Sequence, residues 1–274
     1  MLTRAITGFF FLLILLGAII YSERVVFILF LLITILASYE FYKLRKIKYP
    51  EINFLSIILP TTLIYATFAQ VFLHYKIDLL ILISLFCPAC LIIADLFHSK
   101  NSSFSNTSNG LFSAFYIGLP FSFILAFITY NDPNTTYNFW PILVFFIILW
   151  TNDTFAYLSG KLIGKNKLWE RISPNKTWEG FFGGFIFSII AGILLFYFTK
   201  NFENITGAIL FSASISIFGT LGDLSESLLK RQAGVKDSGN IMPGHGGLLD
   251  RFDGVLLAAP TTFLIMEIYK LINS

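Results

Sequence analysis

Charge is scarce in this 274-residue chain, at 13% of positions, and cysteine and histidine occur only two and three times. So little charge cannot solvate a large water-exposed domain, which excludes an ordinary soluble globule. The two thiols, Cys87 and Cys90, form C-P-A-C inside an apolar run. With no histidine nearby they cannot complete a tetrahedral zinc site, and the pair reads as buried apolar filler. A Walker A loop is also missing: Gly160 and Gly164 have the wrong separation and no G-K-[ST] follows them, which excludes a P-loop motor. The formal net charge is only +3, so whole-chain charge gives no reason to expect nucleic acid as a partner.

Apolar residues fill the space, at 56% of the chain. Runs near the roughly 20 residues that cross about 30 Å of hydrocarbon recur from end to end. Lipid cannot satisfy open backbone groups, so the expected fold is an all-α polytopic integral membrane protein. Nine spans are expected, at about 5 to 21, 25 to 42, 52 to 73, 78 to 97, 111 to 130, 138 to 157, 180 to 199, 205 to 224 and 254 to 271. The first reads as a retained anchor, because no small-x-small site follows it and Tyr21 to Arg24 leads straight into the next span. The Ser/Asn-rich stretch 98 to 110 reads as a flexible loop. It is expected to divide an N-terminal membrane block, 1 to 110, from a C-terminal membrane block, 111 to 274, with loops at 158 to 179 and 225 to 253.

Lysine and arginine accumulate on the cytoplasmic side of membrane proteins. With a cytoplasmic N-terminus, that side holds fifteen of the nineteen, namely Arg4, Lys43, Arg45, Lys46, Lys48, Lys100, Lys161, Lys165, Lys167, Arg171, Lys176, Lys230, Arg231, Lys236 and Arg251. Arg24, Lys76, Lys200 and Lys270 remain opposite, and the C-terminus is expected outside.

Polar residues gather in two places. In the first, 150 to 184, Asp153 lies within an apolar run, where a carboxylate is costly unless it meets a watery cavity or a cation. Lys161, Lys165, Lys167, Arg171 and Lys176 follow, and anionic lipid headgroups account for these as well as a substrate does. In "SPNKTWEG", Ser173 and Pro174 suit a turn opening a helix, with Lys176 and Thr177 in a first turn suited equally to a bound phosphate or an ordinary cap.

The second is 222 to 254. Asp223 and Glu226, three apart, share a face if the helix continues, and Asp250 and Asp253 have the same spacing at the start of the last span. Between them stand Lys230, Arg231, Lys236, Asp237 and the glycines of P-G-H-G-G. Clustered carboxylates repel unless a cation holds them, and an oxygen-only set suits Mg²⁺, which completes its shell with water and substrate phosphates. Gly244, Gly246 and Gly247 give a ligand close access to backbone, and His245 is read as a donor to phosphate ahead of a metal ligand. A metal-bound polyphosphate fits this mixture of acids, cations and glycines.

Residues 227 to 253 closely resemble the signature of the phosphatidate cytidylyltransferases, or CDP-diacylglycerol synthases. The matching positions are Ser227, Lys230, Arg231, Lys236, Asp237, Pro243, His245, Gly246, Gly247, Asp250, Arg251 and Asp253, with Met242 where Leu, Ile or Phe is common. "SPNKTWEG" is similar to the family's second motif, with Asn175 where a lysine often stands. The resemblance is strong over 150 to 254 and weak over the first four spans.

It implies a reaction joining CTP to phosphatidate to give CDP-diacylglycerol and pyrophosphate, a multi-span homodimer, and a bacterial cytoplasmic membrane with the site facing the cytoplasm. Mg²⁺, with a monovalent cation as a further candidate, would be held among Asp223, Asp237, Asp250 and Asp253. Lys176, Lys230, Arg231, Lys236 and Arg251 would grip phosphates, His245 would assist, and Asp153, Ser173, Thr177, Ser227, Gly246 and Gly247 would border the substrates. A CTP-dependent polyprenol or lipid kinase is the alternative enzyme reading. A transporter fits less well, since the charges cluster at one face instead of the midplane.

Overall fold

The computed structural model describes residues 2–75, 78–98, 104–129, 137–199, 202–242, 244 and 246–273. His245 and Pro243 lie outside the described residues, as do Lys76, Lys100 and Lys200 of the charge count. The chain is a helical membrane protein with eight helical segments long and apolar enough to cross a bilayer and a shorter apolar helix, Ile6–Tyr21, ahead of them among the described residues.

In order these are α1 (Leu2–Tyr21), α2 (Glu23–Lys48), α3 (Leu55–Phe72) and α4 (Asp78–His98). Next come α5 (Ser105–Ser113), a π-helical turn (Ala114–Gly118) and α6 (Leu119–Ala126), which together make one span. The second half holds α7 (Trp140–Ile163), strands β1 (Lys167–Trp169) and β2 (Ser173–Thr177), α8 (Trp178–Thr199), α9 (Ile205–Gln232), the short α10 (Leu249–Phe252) and α11 (Val255–Asn273).

The caps follow local chemistry. Ser22 Oγ accepts the Val25 amide at 3.3 Å to start α2, and Asn204 Oδ1 accepts the Gly207 amide at 2.8 Å to start α9. Helices α7 and α8 pack with small residues between them: a Cβ built on Gly184 would stand 2.7 Å from Asn152 Oδ1 and 2.8 Å from the Asn152 carbonyl. Close approach of this kind is what holds helices together in lipid, where burial from water supplies no drive.

The core centres on Phe252 of α10, whose ring lies 5.6 Å from Phe11, 5.9 Å from Phe30, 5.6 Å from Phe121 and 6.4 Å from Phe146. Rings from α1, α2, α6 and α7 thus fix the segment between Asp250 and Asp253.

Several expected boundaries move. Residues 105–110, read as loop, are helical, because Asp95 accepts the Thr107 amide and hydroxyl at 2.8 and 2.7 Å and ties the first turn of α5. Helix α7 runs on to Ile163, and α9 continues eight residues past 224 to Gln232, so the loops expected at 158 to 179 and 225 to 253 are shorter. In α9 the extension is supported by the i,i+4 ion pair between Glu226 and Lys230 and by a 2.9 Å hydrogen bond between Tyr116 and Ser225 hydroxyls. The cysteines are not core filler: Cys90 is exposed on α4, and half-buried Cys87 borders an apolar cavity of about 410 Å³ against α3 and the π turn.

Candidate active site

"SPNKT" does not open a helix. It forms β2, antiparallel to β1, and α8 begins only at Trp178. A residue before proline is driven toward extended backbone, which sets Ser173, and β-branched Thr177 suits a strand end. Thr177 Oγ1 then accepts the Gly180 amide at 3.1 Å and caps α8. Glu179 binds the hairpin's other end, accepting the backbone amides of Lys165 at 3.1 Å and Asn166 at 3.2 Å. The hairpin therefore holds Lys176 rigidly over the ends of α7 and α9.

Lys176 Nζ lies 2.6 Å from Asp223 Oδ2. Both line a cavity of about 680 Å³, with Asp153 from α7, Thr177 from β2, Asp250 and Arg251 from α10, and Asp253 just beyond it. Asp153, Asp223 and Asp253 are near enough for their charges to repel. The cavity's other wall is apolar, with Phe11 and Leu12 from α1, Trp150 and Tyr157 from α7, and Phe181 from α8.

Seven of the expected residues thus meet: Asp153, Lys176, Thr177, Asp223, Asp250, Arg251 and Asp253. The other described ones stand behind or away from the cavity. Ser227 donates to Asp223 Oδ1 at 3.2 Å, and Ser173 pairs with Trp169 in the hairpin. Arg231 braces the loop, its Nε donating to the Ile172 carbonyl at 3.3 Å and an Nη to the Val235 carbonyl at 3.0 Å. Lys236 and Asp237 are exposed outside the lining. Gly246, at φ +84°, turns the chain back so that its carbonyl accepts the Met242 amide at 3.1 Å.

Two expected roles change on geometry. Buried Lys230 is not open to phosphate, since it pairs with Glu226 and, at 2.6 Å, with Asp250 Oδ1. Asp250 Oδ2 in turn accepts the Ser238 amide at 2.9 Å, the Ser238 hydroxyl at 2.9 Å and the Gly247 amide at 2.8 Å. Both oxygens are occupied in holding the loop.

Of the four carboxylates named for Mg²⁺, Asp250 is engaged in holding the loop and Asp237 is exposed outside the cavity, while Asp223 and Asp253 both line it. Among the described residues, no three of His, Cys, Asp and Glu stand together as a ready metal site. Asp223 and Asp253 nevertheless line the same cavity as Asp153, a hard-oxygen set that fits a Mg²⁺ that takes one or two carboxylates and relies on substrate phosphates for the rest.

Sequence reasoning passed over Glu179, Asn152 and Glu40. Asn152 Oδ1 accepts the Ser216 hydroxyl at 2.6 Å, and its amide nitrogen lies 3.3 Å from Asp153 Oδ1. Glu40, eight residues before the end of a membrane helix, carried a signal in its position alone.

The fold is that of a polytopic helical membrane protein, and its cavity has a charged end and an apolar wall. The sequence matches the cytidylyltransferase family over residues 2–269, and the chain belongs to that family. It is 46% identical over 169 residues to a phosphatidate cytidylyltransferase of Staphylococcus haemolyticus, covering 61% of this chain and 62% of that one. Proteins of the same name from Staphylococcus epidermidis and Staphylococcus aureus are each 44% identical over 169 residues, with the same coverage. The matched stretch spans 62% of the length of these relatives.

Proposed function

We propose that the chain transfers the cytidylyl group of CTP to phosphatidate, releasing pyrophosphate and leaving CDP-diacylglycerol in the bilayer. The observation that carries this reading is one cavity with a charged end, Asp153, Lys176, Asp223, Arg251 and Asp253, and an apolar wall. A nucleotide triphosphate suits the first and a lipid the second. The staphylococcal relatives carry the corresponding name.

A phosphatidate oxygen attacks the α-phosphorus of CTP, a new P–O–P link forms, and the bond from the α-phosphorus to the bridging oxygen breaks with pyrophosphate. The attacking oxygen is already anionic, so no strong base is needed. The difficulty is bringing two anions together. Lys176, set by the hairpin, and Arg251 hold phosphate oxygens and offset their repulsion. Asp223 and Asp253, with Asp153 bordering, would hold Mg²⁺. A Mg²⁺ held by these residues would supply positive charge to offset the negative charge of the phosphates. Lys230 and Asp250 keep the loop that carries Arg251 and Asp253 in place.

The N-terminus and the cavity are assigned to the cytoplasmic side of a bacterial cytoplasmic membrane. Fifteen of nineteen lysines and arginines fall there, and CTP is a cytoplasmic metabolite. A homodimer is proposed on the resemblance to the family.

The test uses purified protein in detergent with phosphatidate, Mg²⁺ and CTP labelled on the α-phosphate. Label in the lipid together with pyrophosphate is expected, abolished by a chelator and restored by Mg²⁺. Release of CDP with unlabelled phosphorylated lipid overturns the reading in favour of a kinase.

A further inference from the structure

Glu40 sits on α2, buried at 1% exposure among the apolar side chains Ala37, Phe41 and Leu44 of the same helix face. A carboxylate placed there is costly unless its oxygens are satisfied. Its partners come from about 200 residues away. Oε1 accepts the Leu248 amide at 2.9 Å, and Oε2 accepts the Leu249 amide at 2.8 Å and lies 3.2 Å from the Ser238 hydroxyl. Two separated acceptor oxygens are what a carboxylate offers and a carboxamide does not.

The loop is shaped around this side chain. A Cβ on Gly247 would stand 2.6 Å from Glu40 Oε2, and one on Gly239 would stand 2.8 Å from Glu40 Cδ and 3.0 Å from Cγ. Gly247, expected to admit a phosphate, leaves room for Glu40. The Ser238 hydroxyl also lies 2.9 Å from Asp250 Oδ2, so Glu40 and Asp250 grip the loop at one point, and Asp253 follows three residues later at the cavity wall.

We infer that Glu40 is a positioning residue for the transfer: without reaching the cavity, it sets from the N-terminal half where the segment bearing Asp250, Arg251 and Asp253 stands. The inference rests on the proposed cytidylyl transfer for its activity readout, and on the geometry alone for a second one. In Glu40→Gln, one of the two loop amides faces an NH₂ donor. The expected result is a folded protein whose kcat falls about 10- to 100-fold, as small displacements of reacting groups allow, while the KM for CTP moves by no more than about threefold. Amide exchange at Leu248 and Leu249 should quicken by about tenfold with the rest of the chain unchanged.

Gly239→Ala approaches the same contact from the loop side and should also lower kcat. Combined with Glu40→Asp, whose shorter side chain vacates that space, it should lose less than the product of the two single effects. A folded Glu40→Gln protein with kcat within about twofold of wild type overturns the inference. So do strictly multiplicative effects in the double variant, or failure of all these variants to fold, which would make Glu40 a folding residue. If the wild-type chain transfers no label, the proposed reaction fails, and unchanged amide exchange in Glu40→Gln would then be needed to sink the clamp.

Discussion

Asp223 does two things at once. Its Oδ2 holds Lys176 at 2.6 Å, and in the proposed reaction it would hold Mg²⁺ together with Asp253. Asp223→Asn keeps the shape but loses the charge, so kcat/KM in the labelled-CTP assay should fall about 100-fold or more, the loss seen when a positioned electrostatic group is removed. Lys230 differs in kind. It is the cation shared by Glu226 and Asp250 in a buried cluster. Lys230→Ala leaves two carboxylates without their counter-charge, and removing one partner of a buried pair costs about 3–5 kcal/mol. Thermal unfolding in detergent should shift downward and activity disappear with it, whereas Asp223→Asn should unfold near the wild-type temperature.

At the level of elements, the site depends on α7 and α8 staying close enough for the hairpin to lie over α9. Gly184→Leu would drive a side chain into Asn152, where a Cβ alone would already stand 2.7 Å from its Oδ1. The expected outcome is loss of most transfer activity in a protein that still inserts, read by the same assay beside a membrane-extraction control. Spans such as α2 and α4 were legible in the sequence because unbroken apolar runs of that length have little else to become. The end of α9 was not, because Glu226 and Lys230 look like loop residues until their pairing is known. The hairpin was missed because five residues, 173–177, carry no periodicity, and Pro174 suits a helix start as well as an extended stretch. For the site, Asp153's place in an apolar run, the carboxylate spacings and the family resemblance pointed to Asp153, Lys176, Asp223, Arg251 and Asp253, which do line one cavity. It could not separate those that face the cavity from Lys230, Arg231 and Asp237, whose orientation depends on tertiary packing. Glu40 and its partners are about 200 residues apart, beyond any local pattern.

Considered as a whole, the molecule joins its two halves at the segment between α9 and α11, with Phe252 held by rings from four helices and Glu40 reaching across from α2. Helix α9, at 28 residues, extends about 42 Å, longer than the roughly 30 Å of hydrocarbon. The excess of about 12 Å is enough for its last turns, with Glu226 and Lys230, to reach the depth of lipid headgroups. Each methylene dragged from a membrane into water costs about 0.8 kcal/mol. A reaction centre at headgroup level never incurs that extraction penalty. For the proposed lipid substrate, encounter would become a two-dimensional search, governed by how crowded the surface is with phosphatidate and not by how much is in the tube. Adding inert detergent at fixed total phosphatidate should then slow turnover in proportion to the falling mole fraction, the behaviour known as surface dilution, while dependence on CTP follows its bulk concentration.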